Sequence, residues 1–207
     1  MSDKITKWLF FDVGTTLVDE TKAYDHRIRD AISGTDITYE QFNEKRRYFA
    51  EQNMRGDIEA MNFFGLKRTP WHSEDEILYP DAAEILAHLY RKEYKLGVIA
   101  NQPPGTEQRL GRYGIRGWFD VVVASAEAGI AKPDREIFLK ALDIAGCSAG
   151  DAVMIGDRLD NDIYPAMDLG MSTVWIKQGF SVYQHLESSK KVPDHIIEGL
   201  SELKDIF

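Results

Sequence analysis

Asp12 ends the apolar run Trp8-Leu9-Phe10-Phe11 and is followed by Val13-Gly14-Thr15-Thr16-Leu17-Val18-Asp19. A carboxylate at the carboxyl end of a buried strand stands where open α/β sheets take their ligands. Three further signals follow in order: Ala100-Asn101 after a second apolar run, Lys132-Pro133, and Gly156-Asp157 with Asp162. Carboxylates gathered at one turn repel one another unless a cation or a proton neutralises them. Oxygen-only ligands favour Mg²⁺, which keeps water and phosphate oxygens in its shell. A fixed ammonium at Lys132 would reduce the repulsion between a carboxylate nucleophile and a dianionic substrate. The layout is that of a phosphoryl-transfer site. Each element alone has a plainer reading: Asp12 as a turn former, Lys132 as a surface charge, Asp160-Asn161-Asp162 as helix caps. It is their order that carries weight.

Five short apolar or β-branched runs must position these groups: Trp8–Val13, Leu96–Ala100, Val121–Ala124, Ala152–Ile155 and Thr173–Ile176. None alternates strictly, as expected of strands covered on both faces. Helical patterns fall between them at Ala82–Lys92, Glu107–Tyr113, Arg135–Ala145 and Asp162–Leu169, with start signals at Thr106, Asp134 and Asn161. Pro133 suits the first turn of the helix beginning near Asp134. His195–Ile197 adds an edge strand before a closing helix, Ser201–Phe207. Alternating strands and helices predict an α/β fold, a doubly wound parallel sheet with a Rossmann-like core.

The span from Glu20 to about Leu78 is too long for a βα loop and has helical periodicity of its own. Tyr24, Ile28 and Ala31-Ile32 form one apolar face, Tyr39, Phe42, Arg46 and Phe49 a second, and Ile58, Met61 and Phe64–Leu66 a third. A helical cap over residues 20–78, inserted after the first strand, would sit above the strand ends, with residues 1–19 and 79–207 as the core domain. Ser188-Ser189-Lys190-Lys191 reads as an exposed turn.

The 207 residues carry a net charge of −9, which argues against a nucleic-acid partner. Cys147 is the single cysteine, so no intrachain disulfide forms and a reducing compartment is favoured. No apolar stretch has the length of a signal peptide or membrane span. A cytoplasmic protein without a membrane partner is expected, and the oligomeric state is open.

Taken together, the four elements resemble the haloacid dehalogenase superfamily of aspartate-nucleophile phosphotransferases, over nearly the whole chain and with the helical insert in the position of a C1-type cap. The family's first motif, Asp-x-Asp-Gly-Thr-Leu, reads here Asp12-Val13-Gly14-Thr15-Thr16-Leu17; its fourth matches Gly156-Asp157 and Asp162; Ala166–Met171 is similar to its helix-to-strand turn. The resemblance implies a Mg²⁺-dependent phosphatase of a small phosphorylated substrate. Asp12 would take the phosphoryl group, with Lys132 as its catalytic partner. Asp12, the Gly14 carbonyl, Asp157 and Asp162 would hold the metal, Asp162 either directly or through Lys132. Thr16, Asn101 and Lys132 would hold phosphoryl oxygens.

Two positions depart from that pattern. The family's second Asp, which protonates the leaving oxygen and later activates water, is Gly14; the hydroxyl of its second motif is Ala100. A missing general acid costs about 10²–10⁴-fold in rate, most for alkoxide leaving groups and least for acyl or aryl phosphates. If Gly14 has a positive φ, a side chain there also introduces strain. Other readings are a weakly active or non-catalytic binder of a phosphorylated metabolite or protein, a 2-haloacid dehalogenase, which leaves Asp157 and Asp162 unexplained, and a phosphonatase, which needs a Schiff-base lysine such as Lys22 or Lys45. Specificity would come from the cap, where Tyr24, His26, Arg27, Arg46, Arg47, Arg55, Trp71 and His72 are the candidate contacts.

Overall fold

The structure, a computed structural model, describes residues 8–188 and 192–207. The turn expected at Ser188–Lys191 falls, from Ser189 onward, outside the described residues. In chain order they form β1 (Trp8–Phe11), β2 (Val18–Asp19), α1 (Thr21–Ile32), α2 (Tyr39–Ala50), α3 (Gly56–Phe63), β3 (Ile77–Leu78), α4 (Ala82–Arg91), β4 (Lys95–Ala100) and α5 (Thr106–Arg112). There follow β5 (Val121–Ala124), α6 (Ser125–Ala128), α7 (Arg135–Ala145), β6 (Ala152–Gly156), α8 (Tyr164–Asp168), β7 (Ser172–Ile176), β8 (His195–Ile197) and α9 (Leu203–Ile206).

Among the described residues, six strands make one parallel sheet in the order β5-β4-β1-β6-β7-β8. β1 is central because Leu9, Phe10 and Phe11 are apolar on both faces and wholly buried. On one face Leu9, Phe11, Leu96 and Val98 pack with Ile85 and Leu89 of α4, Leu110 of α5 and Leu203 of α9. On the other, Phe10, Ile99 and Met154 pack with Ile137, Phe138 and Ala141 of α7 and Ala166 of α8. The chain leaves β1 toward β4 on one side and returns to β6 on the other. That reversal opens a crevice at the carboxyl end of β1, where Asp12 stands.

Between β2 and β3 lie the helices α1 to α3, which close on a core of their own built from Ile28, Ala31, Phe42, Ala60 and Met61. β2 and β3 pair antiparallel, Val18 with Leu78 and Asp19 with Ile77. Thr38 caps α2 through a reciprocal bond with Gln41. None of the helices is long and apolar enough to cross a membrane, among the described residues.

Several boundaries differ from those expected. α5 starts from Gly105, which takes φ +89 and leaves Thr106 inside the helix as a buried residue. Asn161 caps nothing: the chain makes a wide π-type turn over Leu159–Ile163 before α8. Pro133 lies ahead of α7 instead of in its first turn, joined to Lys132 by a cis peptide bond, and the Asp134 side chain caps α7 as expected. The closing helix is shorter than expected, a 3₁₀ turn at Leu200–Glu202 preceding α9.

Candidate active site

β1 carries Asp12 out of the sheet with its register intact, the Asp12 N–H still donating to the Ile155 carbonyl at 2.9 Å. The chain then turns sharply. The N–H groups of Thr16, Leu17 and Val18 all reach the Val13 carbonyl and Thr15 N–H reaches Val18, leaving the Gly14 carbonyl out of these bonds. Thr15 takes φ +58, an unusual conformation for a residue with a side chain.

β6 delivers Asp157 beside Asp12, and the wide turn after it brings Asp162 back beneath them. Gly156 permits that return: a Cβ there would lie 2.6 Å from Asp162. Oxygens of Asp12, Asp157 and Asp162 all lie within 4.8 Å of one another. Lys132, on the loop after α6, drives a fully enclosed ammonium between two of them, 2.6 Å from Asp12 Oδ1 and 2.6 Å from Asp162 Oδ1. Asp162 Oδ1 also accepts from Asn161, and its Oδ2 accepts from the Arg158 N–H at 3.0 Å. Both Asp162 oxygens thus accept hydrogen bonds inside the protein, one of them from Lys132.

Burial dominates the electrostatics. It raises Asp12 to about 6, with Lys132 opposing and Asp162 adding to the rise. It raises Asp157 well above the ordinary carboxylate range, with Asp162 and Asp12 adding to the effect. Burial works against the Lys132 ammonium too, but Asp12 and Asp162 outweigh it and its pKa is raised. One cation among three buried carboxylates leaves an excess of negative charge, and the donors are all hard oxygens. The residues present therefore fit Mg²⁺.

The other expected site residues separate. Asn101 lines the cavity, but its amide is bonded to the Lys132 backbone and to Asn161 instead of being presented to a ligand. Thr16 is fully buried and off the cavity wall; Thr15 takes its place there. Gly14 lies on the wall without a positive φ, so the strain anticipated for a side chain there does not arise from the backbone. Of the candidate specificity residues, Tyr24, Arg27, Arg55 and Trp71 line the cavity. Arg46 is largely buried and lines an adjoining cavity with Tyr24, Asp157 and Arg158, its guanidinium 4.3 Å from the Tyr24 ring and 3.5 Å from that of Phe180. His26 and His72 stack on each other and bond Asp75 and Asp30, away from the cavity.

The wall also carries residues that were not anticipated: Glu20, Asp57, Gln102, Pro103 and Arg158. Glu20 precedes α1 yet makes no capping bond with its side chain; Asp19 accepts the Thr21 N–H instead. The open cavity measures about 290 Å³, near the lower end of small-molecule sites. Its floor is anionic and its wall carries Arg27, Arg55 and Arg158 beside Glu20 and Asp57, with Arg27 paired to Asp57 and Arg158 to Asp160.

The family model described as haloacid dehalogenase-like hydrolase matches residues 6–170. The glyceraldehyde 3-phosphate phosphatase of Pyrococcus abyssi is 31% identical over 195 residues, covering 84% of this chain and 82% of that protein. The enzyme of the same name from Methanocaldococcus jannaschii is 40% identical over 129 residues, 62% of this chain and 55% of that one. The crystal structure of an HAD phosphatase from Thermococcus onnurineus superposes with a TM-score of 0.66 at 26% identity, over 97% of each chain. With this fold, these motifs at its strand ends and a match over most of its length, the chain belongs to the haloacid dehalogenase-like hydrolases.

Proposed function

We propose that this hydrolase is a Mg²⁺-dependent phosphatase of a small phosphorylated metabolite, working through an aspartyl-phosphate on Asp12. The observation that carries the reading is the Lys132 ammonium wedged between Asp12 and Asp162 beside Asp157. Asp12 attacks phosphorus; Lys132, steadied by Asp162 and by Asn101, offers its remaining N–H to a phosphoryl oxygen. Asp12, Asp157 and the Gly14 carbonyl would hold Mg²⁺, which would supply positive charge beside the phosphoryl group. Arg27, Arg55 and Arg158 give the wall donors for an anionic or hydroxylated substrate. The names of the relatives and the small cavity together favour a compact sugar or polyol phosphate. Residues 20–78 act as the cap, closing over the core formed by residues 1–19 and 79–207.

The test is phosphate release from a panel of acyl, aryl and alkyl phosphates with Mg²⁺ present, using Asp12→Asn as control. Hydrolysis that Asp12→Asn abolishes, with beryllium fluoride trapped on Asp12 in the wild type, is the expected result. The competing reading, a non-catalytic binder, is favoured by Gly14 and Ala100. It gains if the panel is bound but none of it is turned over, and undiminished turnover by Asp12→Asn removes Asp12 as the nucleophile.

A further inference from the structure

The family's acid/base carboxyl is missing at Gly14, and the space it would take is filled. A Cβ built on Gly14 falls 2.5 Å from Glu20 Oε1, 2.7 Å from Cδ and 2.7 Å from Oε2. A carboxyl group borne by residue 14 would sit one bond beyond that point. Glu20 reaches the same place from the far side of the turn. Its carboxylate is buried, it lines the same cavity as Asp12, and Thr15 Oγ1 donates to Oε2 at 3.3 Å. Glu20 precedes α1 without capping it through its side chain.

We propose that Glu20 is the general acid/base of this enzyme, its carboxyl replacing the one that Gly14 lacks. The inference rests on the phosphatase reading above. In the first step an Asp12 oxygen bonds to phosphorus as the bond from phosphorus to the leaving oxygen breaks. The Glu20 carboxyl gives its proton to that oxygen, releasing an alcohol. In the second step the Glu20 carboxylate takes a proton from water as the water oxygen bonds to phosphorus. The bond from phosphorus to Asp12 then breaks, freeing inorganic phosphate and the Asp12 carboxylate, with Glu20 protonated again. Gly14 is required by the same arrangement, because any side chain there collides with Glu20.

Glu20→Gln keeps the shape and removes the proton transfer. On alkyl phosphates its turnover should fall by about 10²–10⁴-fold. On 4-nitrophenyl phosphate, whose leaving group needs no proton, the first step should survive and the second stall. The readout is a burst of about one nitrophenolate per enzyme and phosphate trapped on Asp12. Beryllium fluoride binding checks that the site is intact. Glu20→Ala combined with Gly14→Asp moves the carboxyl back across the turn and should recover alkyl phosphatase activity lost in Glu20→Ala alone. That pair decides the matter if Glu20→Gln fails to fold. Wild-type alkyl turnover in Glu20→Gln without a burst, while Asp12→Asn is dead, overturns the role of Glu20 and leaves the phosphatase reading standing. So does a double variant no better than Glu20→Ala. Absence of any Asp12-dependent hydrolysis in the wild type overturns both.

Discussion

The side chain of Asn101 closes a ring with the backbone of Lys132: Nδ2 donates to the Lys132 carbonyl at 2.8 Å and Oδ1 accepts the Lys132 N–H at 2.8 Å. β4 is thereby tied to the loop that carries the ammonium, and the reach of Lys132 is set from outside the loop. Asn101→Leu should lower kcat far more than it changes KM, because the ammonium is misplaced while the cavity walls are kept. Leaving two backbone groups unpaired should cost about 1–3 kcal/mol each at most. Steady-state kinetics with urea unfolding on the same preparation checks both.

Lys132→Ala should be severe on two counts. Activity should fall by at least about 10²-fold, the usual loss when one donor to the developing charge is removed. Stability should drop by about 3–5 kcal/mol, since Asp12 and Asp162 remain buried without their cation. Lys132→Ala combined with Asp162→Ala should be more stable than Lys132→Ala alone. A double variant less stable than the single one would show that Asp162 does not depend on Lys132.

The pH dependence of stability carries a definite sign. Burial, with Asp12 and Glu76 adding to it, raises Glu20 from 4.5 to about 8, and burial raises Asp12 to about 6. A carboxyl whose folded pKa is raised contributes stability that is complete below its unfolded pKa and lost as pH climbs through the folded one. In EDTA, the advantage of wild type over Glu20→Gln in melting temperature should therefore shrink between about pH 5 and 8. Added Mg²⁺ should stabilise the wild type more at pH 8 than at pH 5, and should do so weakly in Asp157→Ala. At about 100 times Kd the wild-type gain should approach about 2.7 kcal/mol. Equal Mg²⁺ shifts in both proteins would sink the metal assignment.

Asn53 links the helical segment to the loop after β7. Its Nδ2 donates to the His185 carbonyl at 2.7 Å, and its Oδ1 accepts the His185 N–H at 3.0 Å. Asn53→Ala should weaken that closure by about 1–3 kcal/mol for the two bonds together. Small-angle scattering should report a larger radius of gyration and kinetics a higher KM, with melting of the sheet core little changed. An unaltered scattering profile and KM would show that Asn53 does not hold the cap shut.

The parallel strands were legible because burial on both faces writes continuous apolar runs, as at Leu9–Phe11 and Val153–Ile155. Asp12, Lys132 and Asp157 were legible because they follow such runs at strand or loop ends. The pair β2–β3 was not, since two residues in each strand leave no period to read. Gly105 escaped notice because Thr106 offered a more familiar cap and only φ +89 distinguishes them. Thr15 and Thr16 are adjacent hydroxyls of one type, and which faces the cavity is decided by the turn at Thr15. Glu20 was the largest omission. A glutamate opening a helix reads as ordinary first-turn acidity, and only the fold of the intervening turn returns it to Gly14.

The short antiparallel pair of Val18–Asp19 with Ile77–Leu78 is a two-stranded neck. Both passages of the chain between the sheet body and α1–α3 run through it, so a movement of these helices against the sheet would bend the chain at this double stalk. Glu20 is the first residue beyond the stalk, whereas Asp12, Lys132 and Asp157 all stand on the sheet side. A swing away from the strand ends would withdraw Glu20 from Gly14, and the return swing would restore it. With Glu20 as the acid/base, sealing the chamber and arming the proton would be a single movement, and an open molecule with a phosphorylated Asp12 would have no ready means of discharging it into bulk water.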